Sequence, residues 1–160
     1  MSDATLSTGF SGAKPLVPVF ATIQNAFKPA AEVAVRAATG LFLMPHGAQK
    51  LFGLFGGYGP EATGQFFASK LGLPASFAVL AGAIEFFGGL ALALGLLTRP
   101  VAALVFGLMV VAIVTVHLGN GYFWTDGGFE YPLLWAVLAL SYVVKGGGRH
   151  SLDAKIGREI

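Results

Sequence analysis

The sequence predicts an all-α membrane protein: a four-helix transmembrane bundle with short interfacial helices and both termini on the cytoplasmic side. Three observations lead there. Of 160 residues, 55% are hydrophobic and only 11% are charged, a balance that would leave a water-soluble chain of this size covered in apolar patches. The charged residues collect in connecting segments and tails, with four long apolar stretches between them. Each stretch approaches the roughly 20 helical residues that cross a hydrocarbon core about 30 Å thick.

Residues 1–28 read as an amphipathic N-terminal segment. Val19, Phe20, Ile23 and Phe27 recur at helical spacing with Thr22, Gln24 and Asn25 between them, the pattern of a helix on the cytoplasmic surface. The membrane domain covers residues 29–144, with spans predicted at 29–47, 74–97, 101–118 and 129–144. Between the first two, Gly53, Gly56, Gly57 and Gly59 punctuate a loop ending at Pro60, after which Phe66, Phe67 and Leu71 mark a second short interfacial helix. Thr98, Arg99 and Pro100 read as a tight turn, because proline disfavours helical geometry in the residue before it. Residues 145–160 form a cytoplasmic tail in which Ser151 and Asp153 suit the start of a short capped helix. No basic start leads directly into a compact apolar region, so no removable signal peptide is predicted.

Lysine and arginine near the spans set orientation, since they are retained on the cytoplasmic side. That side would hold Lys14, Lys28, Arg99, Lys145, Arg149, Lys155 and Arg158, against Lys50 and Lys70 opposite. Tyr58, Tyr122, Trp124, Tyr131 and Trp135 then gather at the outer ends, where amphipathic rings favour the headgroup layer. The net charge of +2 arises without a basic run, so nucleic acid is not an expected partner. The absence of cysteine excludes disulfides, thiol redox chemistry and cysteine-ligated iron–sulfur or zinc sites made by this chain alone. The pairs and runs of glycine at 56–57 and 146–148 lack the lysine and hydroxyl of a P-loop and read as helix ends.

Charges inside spans are costly, which singles out Arg36 and Glu85. Counting along the predicted spans puts both near the midplane, on faces rich in glycine, as a register-fixing ion pair or a proton site. A second constellation lies toward the outer surface: His46 ends the first span, His117 the third, and Glu130 opens the fourth, with Lys50 and Asp126 nearby. Imidazoles with a carboxylate can bind a metal, and two opposed histidines a haem iron. A polar pocket for a quinone head or small substrate ranks ahead of both, and neither a metal centre nor catalytic residues are assigned.

Arg36, Gly40, His46-Gly47 and Lys50, then Glu85, Gly88-Gly89 and the run Gly95-Leu96-Leu97-Thr98-Arg99, resemble the DoxX family of small bacterial membrane proteins. His117, the segment Gly128-Phe129-Glu130-Tyr131-Pro132 and the terminal Gly148-Arg149-His150-Ser151-Leu152-Asp153 continue the resemblance. It implies a four-helix protein of the bacterial inner membrane, associated with sulfur metabolism, redox homeostasis or quinone-linked oxidoreductases, without implying one reaction. The leading expectation is a membrane subunit of a redox-linked complex that binds a quinone or small substrate near the outer face. The alternatives are a non-catalytic scaffold or assembly subunit and, third, a small transporter. The expected partners are the lipid bilayer and either another protein or further copies of this chain.

Overall fold

The computed structural model describes residues 16–158. Residues 1–15 of the expected amphipathic segment, with Lys14, and the last two tail residues lie outside the described residues. Every described regular element is helical.

Helix α1 spans Pro18–Leu41. Its proline start is harmless, because the first amides of a helix have no intrahelical partner to lose. The helix continues through Pro29, so the expected surface helix and the beginning of the first span form one element. The first span itself is divided. Pro45 has no N–H for the Leu41 carbonyl, and its ring crowds that oxygen. The chain tightens instead, with Phe42 N donating to Ala38 O at 3.0 Å and Leu43 N to Gly40 O at 3.1 Å, then resumes as α2, Met44–Phe52. The diversion of the Leu43 amide frees the Thr39 carbonyl, and the Trp135 indole N–H donates to it at 3.1 Å. Satisfaction of that carbonyl from another helix is what an apolar solvent demands at a helix break.

The helix expected after Pro60 is α3, Gly59–Lys70. Among the described residues two helices are long and apolar enough to cross a membrane: α4, Ser76–Leu94, and α5, Thr98–Asn120. The reversal between them lies at residues 95–97, where Gly95 and Leu97 have φ of 69° and 47°. The expected turn at Thr98, Arg99 and Pro100 is thus corrected: these residues form the first turn of α5, where the amide that proline lacks would be unpaired anyway. Helix α6 covers Glu130–Lys145 and α7 covers Leu152–Ile156. Ser151 starts α7 as expected, its Oγ accepting from Ala154 N at 3.1 Å.

Helices α1 and α2 run along α4 through glycine contacts. Gly40 sits against the Gly89 backbone and Gly47 against the Phe86 amide and Gly82 carbonyl, so closely that a Cβ at either would overlap backbone atoms. Helices α5 and α6 pack through Val105, Met109, Ala136 and Ala139, with Leu43 from the α1/α2 break completing the layer. Leu92, Ala102 and Tyr142 form a second layer nearer the tail. The outward surface is equally apolar, with Phe87, Leu104, Val114, Val137 and Val144 all exposed, the opposite of what water selects.

Gly40→Ala is expected to lower stability in mild detergent by roughly 1–3 kcal/mol, the usual range for overpacking. Gly107, with open space around its missing Cβ, should tolerate alanine. Thermal unfolding of both variants checks the contrast; equal midpoints would contradict the close glycine contact.

Candidate functional site

Polar side chains gather in three places along the helix axes. At the tail end, Arg36 is buried. Its Nε donates to Ala93 O at 3.3 Å, one Nη to His150 O at 2.9 Å, and the other to Gly147 O. These carbonyls belong to the last turn of α4 and to the segment after α6. The same segment delivers Asp153, whose carboxylate accepts from Leu97 N at 2.7 Å, Thr98 N at 2.9 Å and Thr98 Oγ1 at 2.6 Å. Asp153 thereby caps α5 from a distant part of the chain, meeting amides that a helix start leaves open. Burial pushes its carboxyl upward. The Thr98 hydroxyl, the Thr98 and Leu97 amides and the Arg36 charge outweigh that and hold it below the ordinary carboxylate range.

Midway along α4 lies the second cluster. Glu85 is buried and its two oxygens accept from Lys50 Nζ at 2.9 and 2.7 Å. Lys50 projects from α2, and its Nζ also lies 3.4 Å from His46 O one turn earlier. Glu85 sits in a π-helical turn, Ile84–Gly88, a widened turn that often occurs at functional sites. The Arg36–Glu85 pair expected at the midplane does not form. The glycine contacts place Gly40 beside Gly89, so Arg36 lies a turn farther along, level with Ala93 at the end of α4, while Lys50 takes the carboxylate.

The third cluster is the expected outer layer, which the structure divides. His117, in a second π-helical turn at Ile113–His117, has Nδ1 2.7 Å from Gly127 O. A carbonyl only accepts, so Nδ1 carries the proton in this contact. Glu130 Oε2 accepts from Trp124 N at 3.1 Å, beside a stacked Trp124/Tyr131 pair with ring centroids 5.3 Å apart. Asp126 is exposed in the short helical turn Trp124–Asp126. These residues shape an ordered loop. His46 and Lys50 belong with Glu85 instead, with His46 exposed on α2. Among the described residues no three His, Cys, Asp or Glu side chains come together to hold a metal ion.

Sequence reading found Lys50, Glu85 and Arg36 individually but missed their partners. The cap formed by Asp153 on Thr98 was also missed, although both lie in the two motifs that carried the family resemblance. Neither π turn has a compositional signal, yet the first holds Glu85, singled out inside a span, and the second holds His117, singled out at a span's end.

Comparison with known proteins gives consistent matches. The family model named DoxX matches residues 31–118, a stretch that holds Arg36, His46, Lys50, Glu85 and His117. The chain is 36% identical over 107 residues, 67% of its length and 74% of the other's, to the Bacillus subtilis protein named "Putative oxidoreductase CatD". It is 38% identical over 80 residues, 48% of this chain and 60% of the other, to an uncharacterized Haemophilus influenzae protein. A further uncharacterized protein of that organism is 37% identical over 62 residues, 39% of this chain and 41% of the other. No solved structure matches.

Lys50→Met should destabilise the protein by about 3–5 kcal/mol, since it leaves the Glu85 carboxylate buried and alone. Adding Glu85→Leu should restore most of that loss, and thermal unfolding of the single and double variants measures it. Asp153→Ala should cost roughly 1–3 kcal/mol through two uncapped amides. Because the folded state lowers the Asp153 pKa, its stabilisation is complete above the ordinary carboxylate range and fades as pH falls through the lowered value. Acid titration of wild type against Asp153→Ala should therefore show the difference shrinking at low pH.

Proposed function

Because the chain belongs to the DoxX family, a family of membrane proteins, we propose that it is the membrane subunit of a redox-linked complex. The pair formed by buried Glu85 on the π turn of α4 and partly buried Lys50 of α2 carries this reading. Apolar side chains of similar volume would pack that position at less desolvation cost, so a charge pair at mid-helix is by default a functional feature. The relative named an oxidoreductase supports the redox class.

The proposed ligand is a quinone or small substrate of similar polarity, docked beside His46, Lys50 and Glu85. A quinone becomes a quinol by taking up two electrons and two protons. A partner oxidoreductase subunit supplies the electrons; Lys50 and Glu85 hold and pass the protons from solvent at the place where the ring docks. His117, Asp126 and Glu130 shape the outer loop over that end of the helices.

The arrangement proposed in the bilayer has four crossings: α1 with α2, then α4, α5 and α6, the tail facing the cytoplasm of a bacterial inner membrane. Withdrawal of Lys50 into the helix packing supports it. Of the basic residues that set orientation, Lys70 then remains on the outer side, against Lys28, Arg99, Lys145, Arg149, Lys155 and Arg158 on the inner.

A non-catalytic scaffold is the second reading, favoured by the exposed Val19, Phe20, Ile23 and Phe27 on the free half of α1. Purification in mild detergent, with extraction and mass spectrometry of bound quinones, separates the two. Quinone should accompany the wild type and fall severalfold in Glu85→Gln. A quinone-free, spectrally silent protein that keeps a stoichiometric larger partner irrespective of Glu85 would establish the scaffold instead.

A further inference from the structure

The tail end contains a polar feature that the redox reading leaves unused. A cavity of about 360 Å³ opens between the end of α6 and α7, lined among others by Lys145, Gly148, Arg149, Asp153 and Arg158. Three of these are cations and one is an acid. The acid is already committed: both Asp153 oxygens face the start of α5. Among the described residues no carboxylate pairs with Lys145, Arg149 or Arg158. Among the described lining residues the three cations therefore outnumber the one acid, with Lys145 Nζ held 4.3 Å from the centroid of the Tyr142 ring.

Its place on the molecule narrows the ligand. Lys145 directly follows Val144, an exposed apolar residue at the end of α6, and Ile156 is exposed on α7 beside the cavity. Apolar surface therefore meets the cations at the level where acyl chains give way to headgroups. Guanidinium groups match phosphate oxygens two at a time, and an ammonium adds a point charge.

We propose that this cavity binds the phosphodiester headgroup of an anionic phospholipid, with Arg149, Arg158 and Lys145 on the phosphate and Val144 and Ile156 against the acyl chains. A free phosphate would meet the same cations but leave the apolar rim uncovered. The site is independent of the Lys50–Glu85 pair.

The test uses the full chain in a neutral detergent, titrated with phosphatidylglycerol or phosphatidylcholine and read by native mass spectrometry. Each cation near an anionic headgroup contributes roughly fivefold in affinity. Phosphatidylglycerol should bind at least about tenfold tighter than phosphatidylcholine, and K145Q/R149Q/R158Q should abolish that preference. Lys70→Gln should leave it intact, and R149K/R158K, which retains the charge, should keep most of it. Unfolding midpoints without lipid verify that each variant is folded. Equal lipid preference in wild type and the triple variant would overturn the proposal. So would displacement of phosphatidylglycerol by equimolar inorganic phosphate, which would make the site one for free anions.

Discussion

The fold depends on how a buried guanidinium is satisfied. Among the described residues Arg36 forms no salt bridge with a carboxylate and instead holds three backbone carbonyls, from Ala93, Gly147 and His150. Hydrogen bonds from a charged donor contribute roughly 1.5–3 kcal/mol each, and these join elements far apart in sequence. The carbonyl of Ala93 ties α1 to the end of α4; those of Gly147 and His150 fix the backbone that follows α6. Once that backbone is fixed, Asp153 reaches the first turn of α5 and caps it. The cap lets α4 reverse into α5 within three residues, with Leu97 in a left-handed conformation that a free chain would avoid. Gly95 is enclosed at this junction: a Cβ there would meet Ser151 and the Arg36 guanidinium.

From this junction the glycine contacts set the depth of everything else on α1 and α2. Gly40 against Gly89 and Gly47 against Phe86 allow backbones to approach as side chains would not, and the register that results brings Lys50 to Glu85. The π turn adds an extra residue at that level and turns Glu85 inward. The buried ion pair is therefore a product of backbone geometry: close approach supplied by glycine and a widened turn in α4. Phe86 on that turn also packs edge-on against Phe52 of α2, ring centroids 5.2 Å apart, a second contact between the two helices that carry the pair.

Apolar window length located the helices well, because hydrophobic runs register burial in lipid or protein directly. Helix ends were less legible. The first window showed no sign of its internal break, since Pro45 looks like the end of a span when the Thr39 carbonyl's acceptance from Trp135 is unknown. The level of Arg36 relative to Glu85 was misread for a related reason: counting began at Pro29, whereas the helix begins at Pro18 and its register is set by glycine contacts. The outer histidines stood in one layer by counting alone, but counting is blind to azimuth. His46 joined Lys50 on α2, while His117 turned toward the Gly127 carbonyl. Ser151 was read correctly because a cap onto its own helix is local. Asp153 was not, because its amides lie more than fifty residues away.

The Arg36 junction also has a consequence for the order in which the protein is made. The guanidinium is made early, but two of its three acceptors are peptide groups 111 and 114 residues later. Until that segment is made, the guanidinium must find other acceptors. The contacts that hold α1 at this junction are therefore complete only once the segment 147–153 has packed against it.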